Sequence, residues 1–282
     1  MQEERQNHNI VLLCDVVDVS RSGYYKWLNH RDTQRQLNRT ALLERILEIF
    51  EESRETYGCP RIYRQLRSEG YECGENTVER LMRENEITPK RKRKYKSTTD
   101  SKHDLPIAPN VLDRDFSVGE PDEVWVSDIT YIETAQGWLY LCVFIDLFSR
   151  SVVGWSMSAN MTAELVLNSF QMGIGKRGRS PIVAHSDRGS QYASSLFRGE
   201  LERNGCIQSM SRKGNCWDNA VAESFFGALK SELIYRTNYN TRIQAMMSVF
   251  DYIEIFYNKR RLHSALEYLT PWEKDQKGRK VA

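Results

Sequence analysis

The 282-residue chain has no apolar run of the roughly 20 residues that a bilayer-spanning helix needs. Its opening residues, MQEERQNHN, contain no apolar core of a secretory signal. The six cysteines (Cys14, Cys59, Cys73, Cys142, Cys206 and Cys216) form no CxxC pair and have no structural-zinc spacing. Several lie in apolar or helical surroundings, which points to a reduced, intracellular chain. No heptad pattern is sustained, so no coiled coil is expected. The net charge is only +2 and says little by itself. Its distribution says more: Pro89–Lys96 puts six basic residues in eight positions, and Lys259–His263 (KRRLH) forms a second basic cluster. Either run alone is equally well read as a solvated face or a linker.

With 40% hydrophobic and 28% charged residues, the composition is that of an ordinary soluble protein, long enough for one large domain or a core with a smaller attachment. Short helices are expected at Ile10–Val19 and Ser22–Asn29, and a longer one near Arg39–Ser53. Pro60 suits a first helical turn, Gly70 stops that helix, and Asn76 or Thr77 would cap the next. Two short helices so connected read as helix-turn-helix geometry, with Arg80 and Arg83 towards phosphates or base edges. The neighbouring Glu75, Glu79, Glu84 and Glu86 oppose that reading. The expected division is a helical segment over 1–53, a helix-turn-helix-like DNA-binding region over 54–95, a linker over 96–119, a core over 120–275 and a frayed tail over 276–282.

In the second half, Val124–Glu133, Trp138–Asp146 and Arg150–Met157 read as an antiparallel meander. A helix from Thr162 to about Met172 follows, with Gly173, Gly175 and Gly178 at its exit. Then come a strand at Pro181–His185, a helix at Tyr192–Arg203, a strand at Ile207–Met210 and a helix capped by Asp218 or Asn219. The order βββαβαβα is that of an α/β, ribonuclease-H-like core, a mixed five-stranded sheet with flanking helices, here preceded by a small all-helical domain. The last helical pattern runs from Ile243 to Tyr257.

Asp128 lies inside a strand, where aspartate is disfavoured without a purpose. Asp187 follows a strand, and Glu223 sits on a helix. Taken singly, these are a solvent-facing strand position, a turn aspartate and a surface glutamate. Together they offer hard oxygen ligands from rigid elements, the set that two Mg²⁺ or Mn²⁺ ions roughly 3.5–4 Å apart require for in-line phosphoryl displacement. Between Asp187 and Glu223 lie 35 residues. They include the loop Ser211–Asn219, which mixes cationic, amide and aromatic groups suited to phosphate or base contact. Arg188, Lys213, Asn215 and Lys230 are DNA-contact candidates there, and Arg260, Arg261 and His263 in the second basic cluster. Trp217 stacks a base or anchors the core. Asp146 supports the fold or the metal's surroundings, and His185 joins the DNA contacts.

The segments SRSGYYKWL, YGCPRIYRQL, SDITYIET, GWLYLCVFIDLFSRSVVGW, HSDRGSQYAS, SMSRKGNCWDNAVAESFFGALKSE and FYNKRRLHSALEYLTP cover most of the chain. They closely resemble the second-frame (OrfB-type) transposase proteins of the IS3 family of insertion sequences, its IS150-like members in particular. That resemblance places the family's acidic triad on Asp128, Asp187 and Glu223. It implies an integrase-type catalytic core that cuts DNA at element ends to expose a 3′-hydroxyl and transfers that end, often through a circular intermediate. It also implies an oligomer assembled on terminal-repeat and target DNA, in the bacterial cytoplasm. The family's active protein is commonly a frameshift fusion, so this chain is expected to be the downstream portion. The preferred expectation is a metal-dependent DNA recombinase. The alternatives are a DNA-binding regulatory or inactive fragment that needs its upstream-frame partner, and a nuclease that only hydrolyses.

Overall fold

The computed structural model describes residues 8–28, 33–89, 105–212 and 216–281. Lys90–Lys96 of the first basic run, Lys213, Asn215 and the side chain of Trp217 lie outside the described residues. No helix among the described residues is long and apolar enough to cross a membrane.

Five helices come first: α1 (Ile10–Val16), α2 (Arg21–Leu28), α3 (Gln34–Glu52), α4 (Cys59–Ser68) and α5 (Glu75–Glu84). A reciprocal box between Thr33 and Gln36 starts α3, earlier than the apolar pattern indicates. Pro60 occupies the first turn of α4, and Gly70, at φ +89°, turns the chain out of it. Gly74 precedes α5 with no side-chain cap, so neither Asn76 nor Thr77 performs that role. Ile46, Ile49, Ile62, Leu66, Val78 and Leu81 bury one another between α3, α4 and α5.

The core is a five-stranded sheet in the order β3-β2-β1-β4-β5, formed by Val152–Ser158, Leu139–Asp146, Val124–Ile132, Val183–Ser186 and Ile207–Met210. The first three strands pair antiparallel, and β1, β4 and β5 run parallel. Period-two alternation divides the central strands between two layers. Trp125, Cys142 and Phe144 face α6 (Ala163–Arg177) and α8 (Ser195–Arg203). Val126, Leu141, Val143 and Ile145 face α9 (Ala220–Glu232) and α10 (Arg242–Phe250). Both faces of β2 are therefore covered, which explains its unbroken apolar run. This is the ribonuclease-H-like arrangement expected from the sequence.

Several boundaries differ. α6 runs through Gly173 and Gly175 and closes at Gly178, φ +70°. Gly173 is a packing residue, since a Cβ there would stand 2.8 Å from the Trp125 ring. The helix expected at Tyr192–Arg203 is two, α7 (Ser190–Ala193) and α8, divided at Ser194, whose hydroxyl accepts from the Phe197 amide. A π-helical stretch, Asp251–Tyr257, extends α10. Ile243, Met247 and Phe250, read as part of one apolar stripe, are exposed.

Residues 105–119, read as connector, pack along β5: the Val111 and Leu112 amides donate to Ser209 Oγ at 2.9 and 3.2 Å, and Leu112 is buried. The expected frayed end is helix α11 (Pro271–Val281). Its Asp275 is buried and paired with Arg177 and Arg279, and Arg279 also reaches the buried Asp122. A polar C-terminus looks frayed when its ion-pair partners are distant in sequence.

Candidate active site

The parallel pairing of β1 with β4 ends at Val126 opposite His185. Advancing two residues on each chain brings Asp128 and Asp187 out side by side at the same edge of the sheet, on the same face. Glu223 stands in the first turn of α9, so the third acid arrives from a helix over that edge. Asn219 attaches the start of this helix to β1: its Nδ2 donates to the Ser127 carbonyl at 2.9 Å. Asn219 is buried, and its Oδ1 has no hydrogen-bond partner among the described residues.

The acids sense one another. Burial pushes the Asp128 carboxyl well above the usual carboxylate range, and the charges of Asp187 and then Glu223 push it further. The Ile129 amide, which donates to Oδ1 at 2.8 Å, and the Lys230 ammonium act in the opposite direction. Burial also raises the Glu223 carboxyl. Asp187 accepts from the Gly189 amide at 2.9 Å, which holds the turn that presents it. Among the described residues, no group of three His, Cys, Asp or Glu stands in metal-holding geometry. The fit to a cation is therefore one of chemistry: three mutually repelling, hard oxygen donors suit Mg²⁺ or Mn²⁺.

Lys230, read as a phosphate contact, is turned inward. It is buried, with Nζ 5.0 Å from the Tyr131 ring centre, and burial lowers its ammonium to about 8 while Asp128 raises it. Asp218 is no helix cap. It is fully buried and accepts from the Arg212 amide and guanidinium at 2.9–3.0 Å, from Arg114 Nε at 2.8 Å and from Asn110 at 3.2 Å. The Arg212 bond, above all, holds its carboxyl far below the usual range. Asp218 thus ties the segment at 110–114 to Arg212. Arg114 and Arg212, both about half exposed, are cations not singled out from the sequence.

Asp146 is a structural residue: buried, it accepts from the Asp122 and Ser149 amides, both at 2.9 Å. His185 is fully buried between Ser209 Oγ and Ser211 Oγ, at 2.8 and 3.1 Å, and burial lowers it to about 4, so the reading of it as a DNA contact gives way to one of internal packing. Arg188 Nε donates to the Ser211 carbonyl at 2.6 Å, linking the Asp187 turn to the end of β5.

In the second basic cluster, Lys259 and Arg260 are presented. Arg260 is exposed, whereas Arg261 is buried and bidentate to Glu232, with bonds of 2.7 and 2.9 Å. His263, half-buried against that guanidinium, is lowered to about 2, chiefly by burial and then by the Arg261 charge. The reading of Arg261 and His263 as phosphate contacts therefore gives way to one of internal packing. Arg80 and Arg83 are exposed on α5, with Arg80 4.0 Å from Glu84.

The sequence is similar to those of known proteins along most of its length. Residues 119–216 and 204–271 match families described as integrase core domain, and residues 37–95 match an HTH-like domain. The transposase InsF for insertion sequence IS3A of Escherichia coli (strain K12) is 39% identical over 280 residues, covering 98% of this chain and 97% of that one. An uncharacterised 31 kDa protein of insertion element IS600 from Shigella sonnei is 41% identical over 260 residues, covering 92% and 96%. Among solved structures, the HTLV-2 integrase catalytic core domain in complex with magnesium aligns with a TM-score of 0.43 at 18% identity, over 56% of this chain and 99% of that one.

Proposed function

The chain belongs to the IS3 family of insertion-sequence transposases, and from that footing we propose that Asp128, Asp187 and Glu223 are the carboxylates with which it cuts and joins DNA strands. It is a polynucleotidyl transferase of DNA transposition. The observation that carries the assignment of these residues is their placement: Asp128 and Asp187 each lie two residues beyond the last β1–β4 pair, and Glu223 stands in the first turn of α9, which Asn219 ties to β1 at Ser127. Three carboxylates from three elements do not converge in a half-buried site without a compensating cation.

Two Mg²⁺ or Mn²⁺ ions held by these acids would supply Lewis acidity for in-line displacement at phosphorus. The chain's own groups have separate tasks. β1 and β4 fix the spacing of Asp128 and Asp187, and α9 brings Glu223 to them. Lys230 balances part of the negative charge beside the reacting strand. Exposed Arg80, Arg83 and Arg260 meet phosphates, as do Arg188 and Lys213, while Asn215 and Trp217 contact bases near the cut. The DNA is the element's terminal repeats and then its target. Pairing two ends calls for an oligomer on DNA, and an upstream-frame protein, free or fused, completes end recognition in the bacterial cytoplasm.

The test is purified protein on labelled element-end DNA with Mg²⁺. Nicked and joined products are expected, and Asp128→Asn, Asp187→Asn and Glu223→Gln should each lower them by at least about 10³-fold while leaving binding intact. Cleavage that survives all three substitutions would sink the assignment.

A further inference from the structure

The connection between α3 and α4 does more than join two helices. Arg54 and Glu55 hold left-handed backbone conformations, φ +59° and +56°, uncommon for residues other than glycine. This bend delivers Arg54 to the catalytic core. Its guanidinium lies over the Phe256 ring at 4.9 Å and the Tyr252 ring at 5.6 Å, and pairs with Asp251. Its carbonyl accepts from Arg236 Nη1 at 2.9 Å, and Arg236 Nε donates to the Ser231 carbonyl at 2.9 Å, in the last turn of α9.

Three residues on, the buried Tyr57 hydroxyl donates to the Arg260 carbonyl at 3.1 Å and accepts from the Leu262 amide at 2.7 Å. Leu262 follows α10 yet is buried in the apolar cluster of the helical region. Between those two contacts, Arg261 is clamped to Glu232, which also accepts from Tyr252 at 2.8 Å. Glu232 ends α9, nine residues beyond Glu223. The helical region therefore grips the far end of the helix that carries the third acid, from two sides.

We propose that this seam sets where the DNA is cut. Arg54 and Tyr57 are positioning residues: they fix the reach from DNA held on α4–α5 to the three carboxylates, and they seat α9 beneath Glu223. The inference rests on the functional reading above, in which the helical region holds DNA and the acids act on it. A flexibly joined binding module would find the end and leave the cut imprecise. A docked one sets the reacting phosphate within the roughly 1 Å tolerance beyond which rates fall about 10²-fold.

The test uses the full chain on end-labelled terminal DNA with Mg²⁺, mapping cut positions at nucleotide resolution and separating kcat from KM. Arg54→Asp and Asp251→Arg should each lower kcat about tenfold or more and spread cuts over neighbouring phosphates, with KM little changed. The double substitution, which restores the pair with its signs exchanged, should regain position and part of the rate. Tyr57→Phe, which keeps the ring and removes only the hydroxyl bonds, should act like the single changes. Wild-type rate and cut position in both Tyr57→Phe and Arg54→Asp would overturn the proposal. So would single changes that lose rate at an unaltered cut position without recovery in the double. Asp128→Asn runs beside them: if it still cuts, the catalytic assignment fails on its own, and the mapped cut positions still judge the seam.

Discussion

A carboxylate placed like Asp128 resists ionisation, and that resistance is measurable as stability. Its folded-state value is raised by burial, Asp187 and Glu223, against about 3.9 in an unfolded chain. Between those two values the folded state binds the extra proton. The stability contribution is thus fully present below the unfolded value and is lost as pH rises through the folded one. Metal-free protein should therefore be less stable at pH 8 than in mild acid, and Asp128→Asn should relieve this. Thermal scans in EDTA at pH 8 should show the variant melting above wild type, by roughly 2–4 °C for each ~1 kcal/mol released. Added Mg²⁺ should raise the wild-type midpoint and leave the variant's nearly unmoved. A variant that melts below wild type in EDTA would contradict the picture.

Asn219 makes a second case at this scale. Its amide is the hydrogen bond that ties the start of α9 to the strand of Asp128. Asn219→Ala should lower strand cleavage about 10²-fold with end-DNA affinity within a factor of about two, because Glu223 loses its seat rather than its charge. A parallel loss of affinity in binding assays would assign Asn219 to DNA contact instead. The proposed acids were candidates in the sequence: an aspartate inside a strand, one just past a strand and a glutamate on a helix together suggest hard oxygen ligands. Asp218 was not. An Asp-Asn pair before an apolar helix reads as a cap, and only tertiary structure reveals that Arg212 and Arg114 take up its carboxylate. Lys230 and Arg261 were misread for the same reason: a cation's direction depends on distant partners, here Asp128 and Glu232.

Among elements, the adjacent arginines after the π-helical stretch provide a contrast. Arg261→Ala would strand the buried Glu232 carboxylate, and a loss of about 3–5 kcal/mol in denaturant unfolding is expected. Arg260→Ala, one residue away and exposed, should cost under ~0.5 kcal/mol, while weakening DNA binding and reducing the salt slope by about one. Equal stability losses would mean that the two side chains are not divided between interior and surface. Element identities in the core followed from periodicity, since both faces of β1 and β2 are covered and the helical stripes are regular. Boundaries followed less well. Gly173 read as an exit, yet it lies within α6 because the Trp125 ring leaves no room for a side chain.

At the scale of the whole molecule, the order βββαβαβα was enough for the ribonuclease-H-like core, because a three-strand meander followed by crossover helices admits few arrangements. The docking of the helical region and the anchoring of α11 were not legible. They rest on pairs such as Arg54–Asp251 and Arg177–Asp275, separated by 197 and 98 residues. Local pattern carries no information at that range. What unites the scales is one proposed site: the middle of β1, the turn after β4 and the first turn of α9 carry the three carboxylates that we propose hold a divalent ion.

The most direct measurement of that site replaces Mg²⁺ with Fe²⁺ and, with ascorbate and peroxide, maps where locally generated radicals cut the polypeptide. Cuts are expected in the middle of β1 near Asp128, at the turn of Asp187 and in the first turn of α9 near Glu223, suppressed by excess Mg²⁺ and lost in Asp187→Asn. Cuts elsewhere, or cuts at these places that neither Mg²⁺ nor the substitution reduces, would contradict a shared metal site built from these three residues.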